Sequence, residues 1–67
     1  MENLLGDWQA KKDVTAFLNG AAFLIQKGNI VAVEELDKKR SRIRIQIVGV
    51  ISNWMPETFL TDFERRD

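Results

Sequence analysis

The stretch "VTAFLNGAAFLI", residues 14 to 25, constrains this chain more than any other. Two apolar runs flank Asn19-Gly20, the dipeptide a two-residue type I′ hairpin prefers, because both central residues need φ > 0. That loop length pairs Val14 with Ile25, Ala16 with Phe23 and Leu18 with Ala21. All six then share one face, as the core-facing positions of a hairpin do. A chain that gives so much of its length to one hairpin is predicted to be built from strands.

The segments after it extend the same pattern. "QKGN" is a second turn, with Gly28 at the position that tolerates an unusual backbone angle. "IVAVEEL" reads as a strand, "DKKRS" as a polar loop, and "RIRIQIV" as a strictly alternating strand. Ile43, Ile45 and Ile47 face one way, and Arg42, Arg44 and Gln46 the other. An odd-numbered loop sets Val33 against Ile45, Val31 against Ile47 and Glu34 against Arg44, which satisfies both burial and charge. Gly49 interrupts "IVGVIS" and marks a bulge or sharp bend. After "NWMP" the chain is expected to make a single helical turn at Glu57–Phe59 and a short strand near Leu60–Phe63. "ERRD" closes it as a solvated tail.

At the other end, residues 3 to 12 read as a short helix. Leu4, Leu5 and Trp8 fall on one arc of about 100°, and Trp8 is expected to plug one end of the core. The predicted architecture is one mainly-β domain over residues 1–67. It comprises a helical segment 1–12, a small, partly open barrel of five or six short strands over 13–63, and a tail 64–67.

Composition excludes much chemistry. A chain of 67 residues is close to the size at which one core is only just sufficient, and it holds no cysteine and no histidine. Disulfides, thiolate nucleophiles, the commonest general base and the commonest zinc ligand are all absent. Self-association remains as a stabilising route. Ten basic and ten acidic side chains cancel, which argues against a strong unspecific nucleic-acid binder. The start "MENLLGDWQAKKD" does not read as a signal peptide, and no apolar run has the length of a membrane span. A cytoplasmic location is the expectation.

Two family resemblances join this reading. "FLIQKG" resembles the Leu-x-Phe-x-x-Gly segment of SH3 domains. "WMPETFL" resembles their aromatic-x-Pro-x-x-Tyr-Val segment, which forms a helical turn and the last strand. The 27 residues between Gly28 and Pro56 match a common SH3 spacing. The resemblance implies that Pro56 and Phe59 belong to a peptide groove. However, Ser41 and Arg42 stand where the family has tandem tryptophans, and the chain has no tyrosine. The N-terminal half is similar to the Sm family, in its Hfq branch, through "DVTAFLNG" and through Ile51, Ser52, Trp54 and Pro56 of "VGVISNWMP". Val48-Gly49 replaces the RNA-contacting Lys-His of that branch. Both families imply a small barrel, so the expected fold is SH3-like or Sm-like. They differ over 48–52, which is a tight turn in SH3 domains and part of one long, bent strand in Sm proteins. "VGVIS" suits the bent strand, "ETFLTDFE" suits SH3, and the choice stays open.

The candidate functional residues form two groups. Trp54, Met55, Pro56 and Phe59 make an aromatic-proline corner fit for a protein or peptide partner, including copies of the same chain. Whether Trp54 is exposed or packs beneath the terminal turn is open. Lys38, Lys39, Arg40, Arg42 and Arg44 form the one basic stripe. It is either a solvated hairpin partly neutralised by Glu34 or a phosphate-contacting edge. No aromatic is interleaved in it to stack bases. Neighbouring Glu34 and Glu35 point to opposite faces of a strand, with Glu35 at the rim of the Val33–Ile45 face, so they do not form an acid/base pair. Ser41 and Ser52 have no histidine to activate them. The expectation is a non-enzymatic interaction or self-assembly module without metal or cofactor. The alternative is an Sm/Hfq-like ring that binds RNA through residues 38–44.

Overall fold

The computed structural model describes residues 3–66. Its elements in chain order are β1 (Gly6–Ala10), β2 (Val14–Leu18), β3 (Ala21–Ile25), β4 (Ile30–Asp37), β5 (Arg42–Ile47), β6 (Val50–Ile51) and β7 (Met55–Pro56). A 3-10 helix (Glu57–Asp62) and β8 (Phe63–Arg66) complete the chain. The protein is mainly β. One antiparallel sheet runs in the order β6-β5-β4-β1-β8, with β7 also pairing β5, while β2 and β3 form a separate two-stranded sheet. Among the described residues β6 and β8 do not pair with each other, so hydrogen bonding leaves the sheet open. None of the described helices is long and apolar enough to cross a membrane.

The helix expected over residues 3–12 is not formed; its first two positions in the 1–12 assignment lie outside the described residues. Gly6–Ala10 is instead an inner strand, paired with β4 on one side and β8 on the other. Trp8 and Ala10 are buried while Asp7 is exposed and Gln9 half-buried, a period of two that three apolar residues on a helical arc had masked. Gly6 sits at φ 119, outside any helical conformation. A helix this short gains little from propagation, whereas a strand between two neighbours satisfies its backbone on both edges. Trp8 is buried within the sheet rather than plugging an end. Its indole N–H donates to the Leu4 carbonyl at 2.9 Å, and the Arg65 guanidinium lies 5.3 Å from the ring centroid.

The β2–β3 hairpin has the expected register, with Val14 opposite Ile25, Ala16 opposite Phe23 and Leu18 opposite Ala21. Asn19 and Gly20 adopt φ 53 and 82, as a type I′ turn requires. The inner face of the hairpin sends Ala16, Leu18 and Ile25 into the core, where they meet Val31, Val33, Ile43, Ile45 and Leu60.

Val33 lies opposite Ile45 as expected, but Glu34 does not face Arg44. The register shifts between Val33 and Glu35, so Glu35 pairs with Arg44 and Asp37 with Arg42. A bulge at Glu34 absorbs one residue and restores the parity that the four-residue loop Lys38–Ser41 would otherwise break. Glu35 consequently lies on the outer face and not at the rim of the Val33–Ile45 face. Two further corrections fall at the C-terminal end, where the sharp bend expected at Gly49 is also formed. Val48 and Gly49, at φ 48 and 78, make a tight two-residue turn that pairs Ile47 with Val50. The helical turn runs on to Asp62, which moves the last strand from 60–63 to Phe63–Arg66. The expected tail 64–67 is therefore part of the sheet up to Arg66, while its last residue lies outside the described residues.

Candidate functional site

The outer face of β4, β5 and β7 carries two cross-strand rows. One begins with Asp37 opposite Arg42 and continues to Pro56 across from Arg42 on β7. The other begins with Glu35 opposite Arg44 and ends at Trp54, whose ring centroid lies 5.7 Å from the Arg44 guanidinium. Each row thus reads acid, arginine, then a flat apolar side chain. Alternation along β5 produces this arrangement, because burying Ile43, Ile45 and Ile47 forces Arg42 and Arg44 outward.

Arg44 is held from three sides. It donates from Nη1 to Glu35 Oε2 at 2.9 Å and from Nε to the Ser52 carbonyl at 3.1 Å, and its guanidinium plane is available to the Trp54 ring. A cation over a tryptophan face is attractive by roughly 0.5–1 kcal/mol at an exposed site. Trp54 is 42% exposed, which answers the open question about its position. It is a surface aromatic that rests on a clamped arginine.

Ser52 makes that placement possible. It is fully buried, and its hydroxyl accepts the Ile45 backbone N–H at 2.9 Å and donates to the Asn53 carbonyl at 2.8 Å. The Ser52 N–H in turn donates to the Ile45 carbonyl at 2.8 Å. The side chain therefore fills a gap in the ladder where the backbone leaves β6 and re-enters pairing at β7. At that break the chain turns Trp54 outward. No local pattern in the sequence marks the Ser52 hydroxyl for this role. Glu35 was legible in principle: allowing a bulge at the Glu34-Glu35 pair leads to the observed register.

The aromatic-proline corner divides in two. Trp54 and Pro56 are exposed, whereas Met55 and Phe59 are half-buried and pack against the core. Met55 lies opposite Ile43, and the Phe59 ring tilts against Phe63 with centroids 5.1 Å apart. The basic stripe divides as well. Arg44 is committed to Glu35 and Ser52. Lys38, Lys39 and Arg40 occupy the β4–β5 loop, where the Arg40 N–H donates to Asp37 Oδ1 at 3.2 Å. The Arg42 guanidinium makes no hydrogen bond or ion pair among the described residues. An open cleft of about 230 Å³ lies between this loop and the start of the 3-10 helix, lined by Leu4, Leu36, Asp37, Lys38, Ser41, Arg42 and Glu57. A bond from the Glu57 N–H to the Ser41 carbonyl at 3.0 Å fixes its two walls together. The lining of this cleft mixes leucine with charged side chains and holds no aromatic.

No protein-family model, curated protein or solved structure matches this chain.

Proposed function

We propose that this chain is a non-catalytic interaction module on an SH3-like barrel, and that it binds a protein or peptide segment on the outer face of β5 and β7. The observation that carries the reading is an exposed, pre-positioned Trp54 on the same face as Arg42, which lies opposite Pro56 and has no ion pair among the described residues. Trp54 supplies flat apolar area at low entropic cost, because Arg44 already restrains its surroundings. Arg42 offers a planar fork for a carboxylate. The favoured partner is a segment that presents an apolar side chain next to an acidic one. Met55 and Phe59 act from beneath, by holding the corner in place.

The tight turn at Val48-Gly49 and the 3-10 helix before β8 support the SH3-like arrangement over the bent strand of Sm proteins. The cleft beside the 3-10 helix has no aromatic for proline rings to stack on, so acidic-apolar segments are favoured over proline-rich ones. A chain without cysteine suits the cytoplasm.

Selection from a displayed random-peptide library tests the reading. Wild type is expected to enrich segments with an acidic and a large apolar residue close together. Trp54→Ala and Arg42→Gln are expected to lose that enrichment while melting cooperatively. Equal enrichment by wild type and both variants would remove the proposal, and so would a retarded RNA band at low salt with no peptide enriched.

A further inference from the structure

We propose that the outer face of the β2–β3 hairpin is the surface on which a second copy of this chain packs. This face shares no residue with the Trp54 corner and does not depend on the function assigned there. Thr15 and Phe17 on β2 and Ala22 and Leu24 on β3 all point away from the core. Phe17 is 75% exposed and Leu24 60%. Because Phe17 pairs with Ala22, Leu24 is its diagonal neighbour on that face, a spacing an aromatic side chain spans. The opposite face of the same hairpin is core, so the hairpin is apolar on both sides.

Three features point to a copy of the chain rather than to another partner. First, residues 14 to 25 contain no charged side chain. Around a two-fold axis a patch meets itself, and only an uncharged patch does so without like-charge repulsion. A charged partner finds nothing here to pair with. Second, neither β2 nor β3 pairs with any further strand among the described residues, so both outer backbone edges are open. The usual guards of an open edge, a lysine or a proline within the strand, are missing from both. A two-fold related hairpin supplies matching edges in the antiparallel sense. Third, the exposed side chains fall short of a stable interface alone, so the open edges must contribute and the dimer is weak. Scaled by what large apolar side chains bury, Phe17 and Leu24 offer about 250 Å² per copy, or about 500 Å² across the pair. Stable interfaces bury roughly 1,600 Å² in total, so these side chains with one edge pairing give a dimer at the weak end.

Mass in solution, measured by light scattering across a low- to high-micromolar dilution series, tests this. Wild type is expected to move from one to two copies with rising concentration. Phe17→Glu and Leu24→Glu should each raise the dissociation constant by at least about tenfold, while Trp54→Ala leaves it unchanged. A wild type that enriches no peptide but still dimerises would thus sink the Trp54 reading alone. A monomer at every concentration, or a dimer indifferent to both glutamates, would overturn the hairpin proposal. So would binding of neutral phosphatidylcholine vesicles by a strictly monomeric chain. If the glutamate variants do not fold, single cysteines in this cysteine-free chain give a second measure. Ala22→Cys should cross-link far faster under mild oxidation than the exposed Thr58→Cys, and equal rates would count against the proposal.

Discussion

Two tight turns in this molecule share one backbone and differ in sequence. Asn19-Gly20 and Val48-Gly49 have φ values of 53 and 82, and of 48 and 78. Asparagine tolerates the left-handed region through local hydrogen bonding, but a β-branched valine is an outlier there. Val48 is also 90% exposed, so no packing offsets its strain. The first turn is therefore specified by its own residues and the second by its surroundings. Asn19 adds a tertiary tie, since its side-chain amide donates to the Ile51 carbonyl at 3.0 Å and fastens the hairpin tip to β6. The Val48 turn is held shut by pairing on its C-terminal side, chiefly the Ser52 clamp on Ile45.

Exchanging the residues breaks the contrast most severely at the first turn. Asn19→Val would place a β-branched residue in the left-handed region and remove the bond to Ile51. The expected loss is about 2–3 kcal/mol, from roughly 1–2 for the backbone and 0.5–1.5 for the hydrogen bond. Urea denaturation measures it, and a loss below about 1 kcal/mol would mean that the neighbours hold this turn too. Ser52→Ala comes next. It strands the buried Ile45 N–H, at a cost of about 2 kcal/mol, and it should also loosen Trp54. The Trp54 contribution to the fluorescence should then shift to the red, whereas a destabilised fold with an unmoved spectrum would argue against the clamp. Val48→Asn has the opposite sign. Relief of strain predicts a gain of about 1 kcal/mol, visible as a higher melting temperature, and an unchanged one would show that this turn stores no strain.

The contrast also explains how much was legible in the sequence. The β2–β3 register was readable because Asn19-Gly20 carries its turn chemistry in two residues and the flanks alternate cleanly. At Val48-Gly49 a sharp bend was legible from the glycine but the two-residue turn was not, because "VGVIS" has strand propensity throughout and the conformation is imposed by pairing across β5. Gly6–Ala10 was not legible as a strand for a related reason, since a five-residue strand between two neighbours leaves only Trp8 and Ala10 as its buried signal. Near the candidate site, the alternation of β5 already placed Arg42 and Arg44 outward. Trp54 stayed ambiguous, because its exposure depends on a buried hydroxyl that no local pattern announces. Met55 and Phe59 entered the corner by adjacency and proved to be its support.

The smallest expected effect tests whether the Arg44 row matters as structure or as surface. Glu35→Gln removes the carboxylate that faces Arg44, while the Ser52 carbonyl and the Trp54 ring still hold the guanidinium. Both partners of this ion pair are substantially exposed, with side-chain accessibilities of 34% and 50%. Solvent and salt screen such a pair, so the stability change should be about 0.5 kcal/mol or less and should vanish in high salt. Peptide selection should respond differently, since Glu35→Gln leaves the Arg44 guanidinium beside Trp54 without its carboxylate and should strengthen the preference for acidic residues. If Glu35→Gln instead cost about 2 kcal/mol and left selection unchanged, the row would be a brace of the sheet like the Ser52 clamp. The binding surface would then have to be sought elsewhere.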